Sequence, residues 1–169
     1  GVGDITSFTA VNNSSVPIVA TINVVSSFSS NGVNCPGPSE TFTITVNPTP
    51  VVNPLVDHVI CNAAPSATVN FTGSGSTYTW TNDNPNIGLA ANGSGDISSF
   101  TALNSTGTPQ VATITVTPTF DHGGLSCTGP SKTFTITVNP SAQVEPIGSS
   151  TVCAGDLISA INFSTLTTL

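Results

Sequence analysis

The sequence predicts an all-β chain assembled from tandem β-sandwich units. Three observations carry that prediction: a fixed internal period, an alternation of apolar and hydroxylated residues, and the lack of helical spacing. Thr41 to Pro48 reads TFTITVNP, and the same letters return at Thr133 to Pro140, an offset of 133 − 41 = 92 residues. Gly93-Ser94-Gly95-Asp96-Ile97 answers Gly1-Val2-Gly3-Asp4-Ile5 at 93 − 1 = 92, and Cys127 and Cys153 follow Cys35 and Cys61 at the same offset of 92. Self-similarity at one period marks a repeat architecture. The chain then divides into the back half of one unit (1–48), a whole unit (49–140) and the front of a third (141–169). A unit of about ninety residues suits an immunoglobulin-like sandwich.

Alternation supplies the strands. Ile114 and Val116 share one face with Ala112, while Thr113, Thr115 and Thr117 take the other. Phe134, Ile136 and Val138 alternate with Thr133, Thr135 and Thr137 in the same way. One apolar and one hydroxylated face describe an antiparallel sheet covered on one side.

Taken in order, the whole unit predicts a strand over Val51–Cys61, broken at Pro54, then a turn to Ser66. A strand over Ala67–Thr72 turns Val69 and Phe71 inward, and Thr77–Thr81 follows with Tyr78 and Trp80 on one face. A polar bend leads into a short strand, Ile87–Ala91, and Asn92–Gly95 reads as a turn. Ile97–Leu103, with Phe100 half buried, precedes a last hairpin, Gln110–Phe120 with Lys132–Val138, around a Gly-rich loop from Asp121 to Ser131. The expected core is Trp80, Phe71, Phe100, Ile114, Val116, Phe134, Ile136 and Val138. The joints Asn47-Pro48-Thr49-Pro50 and Asn139-Pro140-Ser141 are stiff, because proline fixes φ and favours extended backbone before it.

Composition narrows the function. Charged residues make up 5% of the chain, the net charge is −7, and Lys132 is its one basic residue. Nucleic acid is excluded as a partner, since phosphate binding needs Lys and Arg, and attraction to anionic lipid fails likewise. No run reaches the roughly twenty apolar residues of a spanning helix, so this segment is not expected to insert in a membrane. A chain that opens in mid-unit carries no information about a signal peptide.

Four cysteines without C-x-x-C spacing argue against zinc and for disulfides in an oxidising compartment. Two pairings fit the period. A within-unit bond joins Cys61 to Cys127 across 127 − 61 = 66 residues, leaving Cys35 and Cys153 to pair with neighbours outside the chain. A between-unit scheme joins Cys35 to Cys61 and Cys127 to Cys153, closing 61 − 35 = 26 residues. The first is preferred because each unit then folds by itself, with about 4 kcal/mol gained in the chain-entropy picture.

The remaining candidates reduce to structural roles. Trp80 and Tyr78 offer a sugar-stacking surface, against which stands a core tryptophan on the third strand. Calcium needs converging carboxylates, but only Asp4 and Asp96 agree across the period; Asp96 reads as a turn residue, and Asp83 stays open. His58 and His122 answer Ser150 and Ser30, so both read as surface residues. No nucleophile, acid and base form a set. No metal, cofactor or catalytic residue is expected.

At Tyr78-Thr79-Trp80-Thr81-Asn82-Asp83-Asn84-Pro85-Asn86-Ile87-Gly88-Leu89, followed by VATITVTPTF and SCTGPSKTFTITVNP, the chain resembles PKD-like tandem repeats of giant secreted surface proteins of Bacteroidota, including gliding-type adhesins of the type IX system. Trp80-Thr81-Asn82-Asp83-Asn84 stands where ordinary PKD domains carry an acidic WDFGDG-type segment, and no binding residues are carried over. The resemblance implies an extracellular, cell-surface, non-catalytic part of an adhesin or stalk. Its partners are then neighbouring repeats of the same chain. Two alternatives are a self-assembling filament, in which other copies are the partners, and a glycan-binding module facing surface glycans.

Overall fold

A computed structural model of the chain describes residues 3–165. Eight strands follow in order: β1 (Ile18–Ser30), β2 (Val33–Val46), β3 (His58–Cys61), β4 (Thr77–Asn82), β5 (Asn92–Ser94), β6 (Gln110–His122), β7 (Leu125–Thr128) and β8 (Lys132–Asn139). β1 and β2 form a separate antiparallel hairpin. The others form one sheet in the order β3-β8-β6-β4-β5, with β7 pairing β6 beyond the end of β8.

The sheet is built from the alternation. Ala112, Ile114 and Val116 of β6 lie beside Phe134, Ile136 and Val138 of β8, and all six are buried. Opposite them a second layer brings Val52, Phe71, Ile87, Leu89, Ile97 and Ala102 into the same core. Trp80 and Phe71 are buried, and Phe100 packs half-buried against the cluster. The domain is thus a β-sandwich with one regular sheet and one irregular layer.

The irregular layer departs from the predicted strands for identifiable reasons. The 65–72 and 97–103 segments form no ladder and meet through isolated bridges, Val69 to Ile97 and Pro65 to Thr101. Side chains replace the ladder there: Phe71 N donates to Asp96 Oδ1 at 2.8 Å, and Phe100 N to Ser66 Oγ at 2.9 Å. Such local bonds compete with regular pairing. Ile87–Ala91 is no strand. Pro85 starts a 3₁₀ turn over Pro85–Ile87, for which its fixed φ is suited, and Gly88 ends the turn at φ +92°.

Asn92–Gly95 is not simply a turn, because Asn92–Ser94 forms β5 along β4. Gly93 lies so close to Trp80 that a Cβ would stand 2.2 Å from the indole. The loop expected over Asp121–Ser131 is mostly hairpin: β6 continues to His122, turns at Gly123-Gly124, and β7 returns. Of Val51–Cys61 only His58–Cys61 is regular strand, and β3 lies parallel to β8, not antiparallel.

Candidate functional site

The C-terminal end of the sheet carries a polar cleft of about 340 Å³, formed by Asn62, the 104–107 turn, Ser141 and Gln143. Asn104 builds it. Its Nδ2 donates to Thr108 O at 2.8 Å and Val138 O at 2.7 Å, while Thr106 N and Oγ1 both donate to its Oδ1. Asn104 N donates to Asn62 Oδ1 at 2.8 Å, and Asn62 Nδ2 reaches Ser141 Oγ at 3.1 Å. This Asn is buried and fully engaged, which explains Asn104-Ser105-Thr106 as a structural plug.

The same bonds recur 92 residues earlier. Asn12 Nδ2 donates to Val16 O and Val46 O, and Ser14 N and Oγ donate to Asn12 Oδ1. Around Asn12–Ser15 lies a second cleft, about 280 Å³, completed by Thr49, Val51 and Ser74. Three backbone features recur downstream as well. The Val52–Gly73 bridge returns as Val144–Thr165. Asn53 N to Thr72 O returns as Glu145 N to Ser164 O, and Ala64 N to Cys61 O as Asp156 N to Cys153 O.

The joint between the β1–β2 hairpin and the following domain is buried. Pro48 and Pro50 are fully covered. Asn47 Nδ2 donates to His122 O at 3.0 Å, tying the joint to the β6–β7 hairpin. Gly129 lies against Pro50, where a Cβ would come 1.8 Å from the carbonyl oxygen. No sequence pattern announces this contact, although the Pro-x-Pro spacing marks where it occurs.

Within the domain Asp57, Asp83 and Asp96 act as backbone plugs. Asp57 Oδ1 accepts from Thr135 N at 2.7 Å, and Asp83 Oδ1 from Thr113 N at 2.6 Å. The Thr135 amide, followed by the Thr135 hydroxyl, holds the Asp57 carboxyl below its ordinary value. Asp83, left open in the sequence, thus belongs to the end of β4, and Asp96 supports Phe71. Asp4, the periodic partner of Asp96, is exposed. Among the described residues no three His, Cys, Asp or Glu side chains gather as a metal site. His58 stacks edge-on against Phe134, and His122 lies beside Phe120. Trp80 is core rather than a sugar platform, with Tyr78 half-buried beside Phe71.

The preferred disulfide needs correction. All four cysteines are free, and Cys61 and Cys127 belong to opposite ends of the sheet. Cys61 pairs with Asn139 next to the Gln110 end of β6, and Cys127 pairs with Phe120. Ten residues of strand separate Gln110 from Phe120, about 33 Å, whereas a disulfide needs Cα atoms within about 7 Å. The between-unit scheme fails similarly, since Cys35 pairs with Phe28, far along the hairpin from the joint.

A two-layer β domain with polar clefts at its ends and with Asp57, Asp83 and Asp96 spent on backbone amides belongs to the class of sandwich modules. Residues 57–142 match the family model described as PKD-like domain, half of the chain, so the chain belongs to that family. No curated protein matches it. Among the described residues no helix is long and apolar enough to cross a membrane.

Proposed function

We propose that the chain is part of a tandem array of PKD-like units, divided at 1–48, 49–140 and 141–169, and that it acts as a non-catalytic shaft of an extracellular surface adhesin or stalk. Domains of this family are usually extracellular. The observation that carries the reading is the buried Pro48–Pro50 joint, which fixes one unit to the next. The recurrence of the Asn104 bonds at Asn12 supports the array. So does the β1–β2 hairpin, which exposes what the complete unit covers. Val24 is 50% and Phe42 45% exposed, whereas their counterparts Val116 and Phe134 are 0% and 3% exposed. In the array the other half of that unit covers this face.

Each unit adds length, and the joints keep the array straight enough to hold a distal part away from the cell. Small-angle scattering on polypeptides of one, two and three units tests this. The maximum dimension is expected to rise linearly with unit number at every concentration. Dimensions that grow with concentration instead would replace the shaft with a filament, and retention on a glycan array would favour the binding module.

A further inference from the structure

The joint inside this chain is made by two partners. One is the end of β2, with Asn47, Pro48 and Pro50; the other is the β6–β7 hairpin, whose His122 carbonyl receives the Asn47 amide. The hairpin runs past the end of β8 and leaves Gly129 flush against Pro50. At the opposite end of the domain Asn139 and Pro140 repeat Asn47 and Pro48, with Ala142 in the place of Pro50. Asn139 stands at 139 − 47 = 92 after Asn47, and Asn104 and Ser141 stand at 104 − 12 = 92 and 141 − 49 = 92 after Asn12 and Thr49. Asn104 carries the bonds of Asn12, and the side-chain amide of Asn139 makes no hydrogen bond among the described residues.

We infer that the end of β8 at Asn139 and Pro140, beside the cleft at Asn104–Gly107, is the docking site for the β6–β7 hairpin of a following copy of the domain in the same chain. The inference rests on the array reading. Recognition is polar and uses backbone: a carbonyl at the hairpin tip accepts from Asn139, as His122 accepts from Asn47. A tip of two glycines at positive φ, Gly123 and Gly124, allows close approach without side chains in the way. The cleft beside Asn139 is lined by amides and hydroxyls and carries no charged side chain, which suits a backbone partner.

The docked hairpin also answers the cysteine problem. Cys61 pairs with Asn139 across β3 and β8, so it belongs to this end of the domain. Cys127 lies on the returning strand of the hairpin, opposite Phe120. Docking brings Cys61 of one unit and the Cys127 counterpart of the next into one joint. Closing that bond joins the two sulfurs, releases two protons and passes two electrons to the disulfide of a thiol–disulfide exchange catalyst, which leaves as its dithiol.

Two measurements test the inference. In the full chain, with the native cysteines changed to serine, spin labels are placed through Thr41→Cys and Thr133→Cys, both exposed and related by the period. A narrow distance distribution is expected, broadening at least twofold in Asn47→Ala while the thermal unfolding of the 57–142 domain stays unchanged. Gly129→Val, which displaces Pro50, should broaden it further. A distribution already broad before substitution, or one unmoved by both variants, overturns the docking; scattering that still lengthens with unit number would leave the array reading standing. In the parent chain carrying the following unit, non-reducing peptide mapping should link Cys61 to the next hairpin cysteine. A link from Cys61 to Cys127 of the same unit, or free thiols at both, overturns the crosslink.

Discussion

At the scale of single residues, asparagine does what charge does in many domains. Asn104, 5% exposed, satisfies the buried Val138 carbonyl, the Thr108 carbonyl and two donors from Thr106. Removing its side chain strands Val138 O in the core, where an unmet polar group costs about 1–3 kcal/mol. Asn104→Ala should therefore lower unfolding stability by about 3 kcal/mol in urea titration, and the exposed Ser105→Ala by less than about 0.5 kcal/mol.

Asp57 gives a pH signature. Its folded pKa is depressed by the Thr135 amide, so its contribution is present above the unfolded value of 3.8 and is lost as pH falls through the lower folded value. The urea midpoint should fall as pH drops below about 4, and Asp57→Asn should flatten that slope. An unchanged slope would show that another carboxylate controls acid unfolding.

At the scale of elements, β4 and β5 depend on a missing side chain. Gly93 pairs with Trp80, and a Cβ would enter the indole. Gly93→Ala should cost about 1–3 kcal/mol through overpacking and alter the emission of the single tryptophan. If emission and stability both hold, β5 yields without strain.

The elements also show what was legible. β6 and β8 could be read because each carries one apolar and one threonine face, a pattern that survives in any sequence context. The second layer could not, since its ordering groups are the Asp96 carboxylate and the Ser66 hydroxyl, which leave no period. Pro85 before Asn86-Ile87 was the available sign of the 3₁₀ turn, masked by the apolar run that follows it. The cysteine pairing misread the fold for a different reason. The parallel placement of β3 on β8 joins segments 78 residues apart, Asp57 to Thr135 for example, and local pattern is silent about such pairs. The plug at Asn104 left no pattern in the sequence, because Asn, Ser and Thr are frequent throughout the chain and the partner Val138 lies 34 residues away.

At the scale of the whole molecule, the chain is a sandwich module with a buried proline joint on one side and its periodic counterpart on the other. A fragment cut within a unit should behave poorly. The β1–β2 hairpin alone presents Val24 and Phe42 to solvent, and exposed apolar faces of this kind drive association. Residues 49–142 expressed alone should elute as a monomer in size-exclusion chromatography, and residues 1–48 alone should aggregate. A soluble, monomeric 1–48 fragment would mean that the hairpin needs no missing half.

The parallel seam between β3 and β8 has a mechanical consequence. The backbone enters the domain at the Pro50 end and leaves it at the Asn139 end, while both strands of the seam run in that direction. Tension along the chain draws β3 one way and β8 the other, so the backbone bonds from His58 to Cys61 bear the load together, in shear, and none can open ahead of the rest.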